Sequence, residues 1–249
     1  FMRIALIGCL WFGVSLAAGQ DAKPDQQPRI VAASPLAIAA GVPVKLALRG
    51  QRLDEVTEFK IGTIDIKAEL VSKGKAAVPQ NYDAKRIGDT QAELKFTLPV
   101  ETPVGKLALT PISAAGAGLP YEIAVLPAAE LVEEKEPNDG FKAAQSVQIG
   151  TTIVGTIHEA RNVDVFQFKA EAGQKLVIEV VASRAGSPLD PFVTLYDAAG
   201  QIMGGSDDNV GRDPRFEVTF TKSGSYFLSL QDANDSGGVH FAYFLKVSP

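Results

Sequence analysis

The chain has 249 residues, 46% of them hydrophobic and 21% charged, enough for one large folded domain or two ordinary ones. A formal charge of −5, with no basic block and no aromatic–basic stripe, gives nucleic acid no support as a partner. The charge is uneven: residues 1–129 carry 14 Lys+Arg against 12 Asp+Glu, and residues 130–249 carry 10 against 17.

Met2-Arg3 supplies a short basic start, and Ile4 to Leu16 is an apolar run too short to span a bilayer comfortably. Small residues follow at Ser15, Ala17, Ala18 and Gly19. Residues 1–19 are therefore predicted as a signal peptide. The mature protein is expected to be secreted, periplasmic or on a bacterial cell surface, without a membrane span. Cys9, the sole cysteine, would leave with the signal; Leu6-Ile7-Gly8-Cys9 comes too early in the apolar run to serve as a lipoprotein cleavage box. The mature chain then has no disulfide, no thiol nucleophile and no cysteine metal ligand. Residues 20–27 are polar and read as a flexible leader.

From Pro28 the pattern becomes that of short strands. Arg29 to Ser34 is closed by Pro35, and Val42 to Gly50 alternates with period two. Glu58 to Ile61, Ile64 to Val71, Gln91 to Leu98, Gly105 to Thr110 and Tyr121 to Val125 continue the series. Lys73 to Asp89 reads as a long polar connection. These strands, without a convincing helix, predict an antiparallel β-sandwich over residues 28–126. Pro28-Arg29-Ile30, Ser34-Pro35, Gly41 to Leu46, Gly50-Gln51-Arg52-Leu53 and Tyr121-Glu122-Ile123 resemble the IPT/TIG immunoglobulin-like domain. That resemblance implies a spacer or binding module with no catalytic residues.

Residues 127–133 read as a linker, and it runs into Glu134-Lys135-Glu136-Pro137-Asn138-Asp139. In an extended segment Glu134 and Glu136 share a face. Pro137 biases Glu136 towards extended backbone, and Asn138-Asp139-Gly140 reads as a turn that returns its oxygens towards the glutamates. Such a group of hard oxygen donors suits Ca²⁺; the alternative is a solvated acidic linker. Beyond it lie seven further strand candidates, from Thr152–Ile157 to Phe241–Val247, which predict a second, jelly-roll-like sandwich over residues 134–249. The fold class is thus all-β, two consecutive antiparallel sandwiches after a signal peptide.

Within this half, Glu136-Pro137-Asn138-Asp139, Gly155-Thr156-Ile157, Asp164 to Phe168 and Ala172 to Leu176 follow one another in order. Leu189-Asp190-Pro191, Leu195 to Gly200, Ser206-Asp207-Asp208 and Gly224 to Phe227 continue the set. Together they resemble the bacterial pre-peptidase C-terminal domain, which follows the catalytic domains of many secreted peptidases. The resemblance implies a structural Ca²⁺ held by Glu134, Glu136, Asn138 and Asp139, with Asn162 and Asp164 from the loop before the next strand. Asn162 stands where a second Asp often does, and an amide oxygen coordinates Ca²⁺ with less charge.

Catalysis finds little support. There is no G-x-S-x-G elbow, and the two histidines, His158 and His240, read as ordinary surface or core imidazoles. Asp207, Asp208 and Asp213 crowd one loop but lack the ladder of an EF-hand, and read as a polar turn. Tyr196, Tyr226, Phe227, Phe241, Tyr243 and Phe244 lie on predicted strands, either as core or as a ligand face. The expectation is a non-catalytic module that binds an extracellular polymer, protein or polysaccharide. The alternatives are an accessory domain of a secreted peptidase whose catalytic part lies outside this chain, and a hydrolase relying on carboxylates alone.

Overall fold

The computed structural model describes residues 26–78 and 82–249. The predicted signal peptide, and the leader as far as Asp25, lie outside the described residues. The first sandwich comprises β1 (Arg29–Ser34), β2 (Ala37–Ala39), β3 (Pro43–Gln51), β4 (Val56–Ile61), β5 (Glu69–Lys75), one helical turn α1 (Ala84–Ile87), β6 (Thr90–Thr97), β7 (Gly105–Ser113), β8 (Gly116–Ala117) and β9 (Tyr121–Leu126). One sheet has the order β1-β3-β6-β5 and the other β2-β9-β7-β4, with β8 paired to β7. Period-two alternation makes the core: in β3, Val44, Leu46 and Leu48 are buried while Lys45 is exposed. Leu46, Leu48 and Leu94 from one sheet meet Phe59, Leu109 and Ile123 from the other.

The second sandwich comprises β10 (Leu131–Glu133), β11 (Gln145–Ser146), β12 (Thr152–Thr156), β13 (Val163–Ala170), β14 (Lys175–Val181), β15 (Pro191–Tyr196), β16 (Ile202–Ser206), β17 (Arg215–Thr219), β18 (Gly224–Asp232) and β19 (Ala242–Ser248). Its sheets have the orders β10-β12-β19-β14-β17 and β11-β13-β18-β15-β16. Phe166, Phe168, Leu228 and Leu230 from one sheet pack on Ile178, Val180, Tyr243 and Leu245 from the other. The pairings are antiparallel except at three edges, where β2–β9, β10–β12 and β11–β13 run parallel. Thr152 stands opposite Leu131 on one side and Lys246 on the other.

Three sequence expectations need correction. The linker expected over residues 127–133 is shorter, because Leu131–Glu133 is already an edge strand of the second sandwich. The strand expected from Ile64 starts at Glu69; Ile64 itself makes an isolated bridge to Ile61, as the chain crosses between the sheets. The polar connection from Lys73 to Asp89 begins as strand through Lys75 and includes α1, whose first turn is capped by the Asp83 carboxylate accepting from Lys85 N.

The two sandwiches touch. The Tyr121 hydroxyl donates to Ala185 O at 2.6 Å, and Tyr82 packs edge-on against Phe241 with ring centroids 6.2 Å apart. Gly186, at φ +88°, closes the contact: a Cβ there would stand 2.4 Å from Val31 O.

Candidate functional site

The segment from β10 to β11 supplies an edge strand to each sheet of the second sandwich, and the acidic stretch lies between those two edges. Glu134 N donates to Val154 O at 2.9 Å, prolonging the β10–β12 ladder by one residue and turning the Glu134 side chain towards β12 and β19. Its Oε2 accepts from Thr156 N at 2.8 Å. The Glu136–Pro137 peptide is cis, and Asn138 N donates to Glu136 Oε2 at 3.0 Å. Asn138 O in turn accepts from Val165 N at 3.0 Å, which docks the turn on β13.

One oxygen each from Glu134, Glu136 and Asp164 lie within 4.8 Å of one another. Asp164 and Asn138 are fully buried, and Asn162 nearly so. The Tyr243 hydroxyl stands 2.6 Å from Asp164 Oδ2 and 3.0 Å from Glu134 Oε1. Asn138 Nδ2 donates to Glu134 Oε1 at 3.0 Å, and Asn162 Nδ2 donates to Asp139 Oδ1 at 2.8 Å. Both amides thus spend their nitrogens on carboxylates. That leaves Asn138 Oδ1, Asn162 Oδ1 and Asp164 Oδ1 buried with no hydrogen-bond partner. Buried oxygens are normally paired, so three bare acceptors, one of them on Asp164 itself within the carboxylate cluster, are acceptors left without a donor.

Electrostatics agrees with this picture. Burial, then the hydrogen bond and negative charge of Glu134, push the Asp164 carboxyl well above the usual carboxylate range; Tyr243 opposes this and Glu136 adds to it. Burial likewise raises the Tyr243 phenol, with the Asp164 and Glu134 charges reinforcing it. Among the described residues, no Lys or Arg forms an ion pair with Glu134, Glu136 or Asp164. His158 Nδ1, half-exposed, sits 2.7 Å from Glu136 Oε1 at the outer rim. The donor set (carboxylate and amide oxygens, in part buried) fits a hard cation of the Ca²⁺ type.

Of the six residues expected at a metal site, the structure brings Glu134, Glu136 and Asp164 together directly and turns the Asn138 amide into the same cluster. Asp139 is exposed and instead holds the Asn162 amide. Spacing gave no access to Tyr243, to the Thr156 amide, or to Gly155, where a Cβ would stand 2.5 Å from the Tyr243 hydroxyl and 2.6 Å from Glu134 Oε2. A glycine inside a strand is the one signal that marked this close approach.

The remaining candidates resolve differently. Asp213 is fully buried, and its carboxylate accepts from Ala182 N, Ser183 N and Arg184 N at 3.3, 2.8 and 3.2 Å, closing the 3-10 turn Ser183–Ala185. It is therefore turned inward, apart from exposed Asp207 and Asp208. Tyr226, Phe241 and Tyr243 are core, whereas half-buried Tyr196 and Phe227 are partly covered by Phe141, with ring centroids at 5.0 and 4.9 Å. Among the described residues no helix is long and apolar enough to cross a membrane.

A two-sheet sandwich with an acidic clasp at its N-terminal edge is the class of domain defined by these features. Residues 162–232, within the second sandwich, match the family model of the bacterial pre-peptidase C-terminal domain. The match begins at Asn162 and so includes Asn162 and Asp164, but not Glu134 to Asp139. A probable subtilase-type serine protease of Deinococcus radiodurans is 31% identical over 140 residues, covering 54% of this chain and 19% of the protease. The chain thus spans about a fifth of the length of that curated relative. Among solved structures, the pre-peptidase C-terminal domain of a Bacillus anthracis collagenase is 19% identical with a TM-score of 0.34, covering 46% of this chain and 99% of that one. A surface-associated copper-binding protein of Methylomicrobium album is 10% identical with a TM-score of 0.32, covering 42% of this chain and 98% of that one.

Proposed function

We propose that this chain is a secreted, non-catalytic accessory module whose second sandwich holds a structural calcium ion at the Glu134–Asp164 cluster. The observation that carries the reading is the convergence of the Glu134, Glu136 and Asp164 carboxylates, together with buried, unpartnered oxygens on Asp164, Asn138 and Asn162. Bound there, calcium supplies positive charge and accepts 6–8 oxygen ligands in flexible geometry. Glu134, Glu136 and Asp164 provide the charge, while Asn138 and Asn162 provide amide oxygens. Asp139 acts on Asn162, holding the amide by its nitrogen and leaving the buried oxygen without a partner. Thr156 N and Tyr243 fix the Glu134 carboxylate. The effect is structural: the segment that enters the second sandwich is clamped to β12, β13 and β19.

Support for a non-catalytic role comes from the histidines. His240 is buried with its Nδ1 unpartnered, and His158 is paired to Glu136 at the clasp. The module would bind an extracellular polymer, protein or polysaccharide. A second reading, an accessory domain working with a secreted peptidase, is favoured by the 31% identity to a probable subtilase-type protease.

Calcium is expected to raise the melting temperature, and a chelator to reverse the rise; an unchanged melting curve removes the calcium site. Pull-down on insoluble collagen, cellulose and peptidoglycan tests the binding role. Retention on none of the three, together with a catalytic domain in the same reading frame, decides for the peptidase reading.

A further inference from the structure

We propose that the cleft between the two sandwiches is a binding groove for an acidic polypeptide segment. It is a cavity of about 800 Å³, with Arg29, Tyr82, Arg86 and Tyr121 on the first sandwich and Ser183 and Arg212 on the second. Clefts at domain junctions in this size range are a common setting for ligand sites. A second hollow of about 450 Å³ continues from it past Arg29, around the other side of α1, and is lined by Arg52, Lys75, Lys85 and Asp89. A run of six basic side chains along two adjoining hollows contrasts with a chain of net charge −5.

Four of these cations are without an ion-pair partner among the described residues, although Arg52 donates from Nε to Gln27 O at 3.2 Å. Arg212 is paired with Asp190 at 2.6 Å and Lys75 with Asp54 at 3.0 Å. Among the described residues, no carboxylate forms an ion pair with Arg29, Arg52, Lys85 or Arg86. Asp83 caps α1 through Lys85 N. The wall bearing Arg86 is also held in place. Arg49, half-buried beneath it, donates from Nε to Ile87 O at 3.0 Å and from Nη2 to Ala77 O at 2.5 Å. Guanidinium groups match carboxylates in fork geometry.

The aromatic residues argue against a sugar. Tyr121 is committed to Ala185 O and Tyr82 packs on Phe241, which leaves charge, rather than ring stacking, as the recognising chemistry. A polypeptide rich in Asp and Glu offers carboxylates on side chains flexible enough to reach both hollows. This groove lies on different residues from the calcium cluster, and its occupancy does not depend on the calcium reading.

The probe is a fluorescein-labelled deca-glutamate peptide, titrated with the full chain in calcium-containing buffer and followed by fluorescence anisotropy. Saturable binding is expected, weakened about tenfold or more by Arg29→Ala/Arg86→Ala and weakened further as salt rises. Lys60→Ala/Lys67→Ala removes the same charge from exposed positions outside the groove and should leave binding unchanged. All four side chains are exposed, and a melting curve for each variant confirms that it folds. Absence of saturable binding, or equal loss in both double variants, overturns the proposal. Equally tight binding of a polyuronate or a single-stranded oligonucleotide of the same charge also overturns it, by removing the polypeptide.

Discussion

Asp164→Asn offers the sharpest test of the calcium clamp, because it should act in opposite directions with and without the ion. Asp164 is fully buried and converges with the carboxylates of Glu134 and Glu136, and among the described residues no Lys or Arg forms an ion pair with it. Without calcium, the folded chain must either keep that charge or bind a proton, and both cost stability. Asparagine preserves the shape, still accepts from Tyr243, and removes the charge. In chelator the variant should therefore match the wild type or exceed it by about 1–2 kcal/mol. With calcium at about 100 times Kd, the wild type gains about 2.7 kcal/mol. For a domain of this size that corresponds to a rise of roughly 10 °C in Tm. The variant, short of one carboxylate, should gain only a small part of this, so the order of the two melting temperatures reverses between the two conditions. Circular dichroism melts in calcium and in EDTA read this directly. A variant that shifts as far as the wild type, or that melts well below it in EDTA, would refute the reasoning.

Gly155→Ala should cost about 2 kcal/mol and suppress the calcium shift, since its Cβ collides with both Tyr243 and Glu134; urea denaturation with and without calcium measures both. Asp213→Ala strips three amides of one buried acceptor and should destabilise by about 3 kcal/mol in the same assay, with the calcium shift intact. His240 carries the pH dependence. Burial, then the Arg49 charge, lower its imidazole from 6.5 to about 4, so the folded chain holds it neutral while the unfolded chain protonates it. Its contribution is therefore complete above pH 6.5 and is lost as pH falls towards 4, by about 3 kcal/mol. His240→Leu should lose that much less stability than the wild type between pH 7 and pH 4, measured by urea denaturation at each pH.

A strand with one polar and one buried face was legible in the sequence: Val44 to Leu48 announces itself by alternation, whereas Asp164 to Phe168, buried at Asp164, Val165 and Phe166 in succession, was read from its β-branched and aromatic residues. β10 was not legible, because a three-residue edge strand next to acidic side chains has no period to read. The Glu134/Glu136 half of the clasp came from local geometry, and Asp164 from an ordered set of motifs. Tyr243 lies 109 residues from Glu134, and only strand pairing brings it to the cluster. Asp213 looked like one more acid in a polar loop; its partners lie about thirty residues upstream, in a turn whose amides need an acceptor.

The register around Thr152 has a mechanical consequence. Leu131 and Lys246 flank it, so the polypeptide enters and leaves the second sandwich at the same end, two strand spacings or about 10 Å apart. Tension delivered through residues 127–130 then loads β10 across its hydrogen bonds and peels it from β12 one rung at a time. The peel meets Glu134 after three residues, where the carboxylate is anchored to Thr156 N and Tyr243. The acidic clasp is thus the first point along the chain where such a pull is arrested.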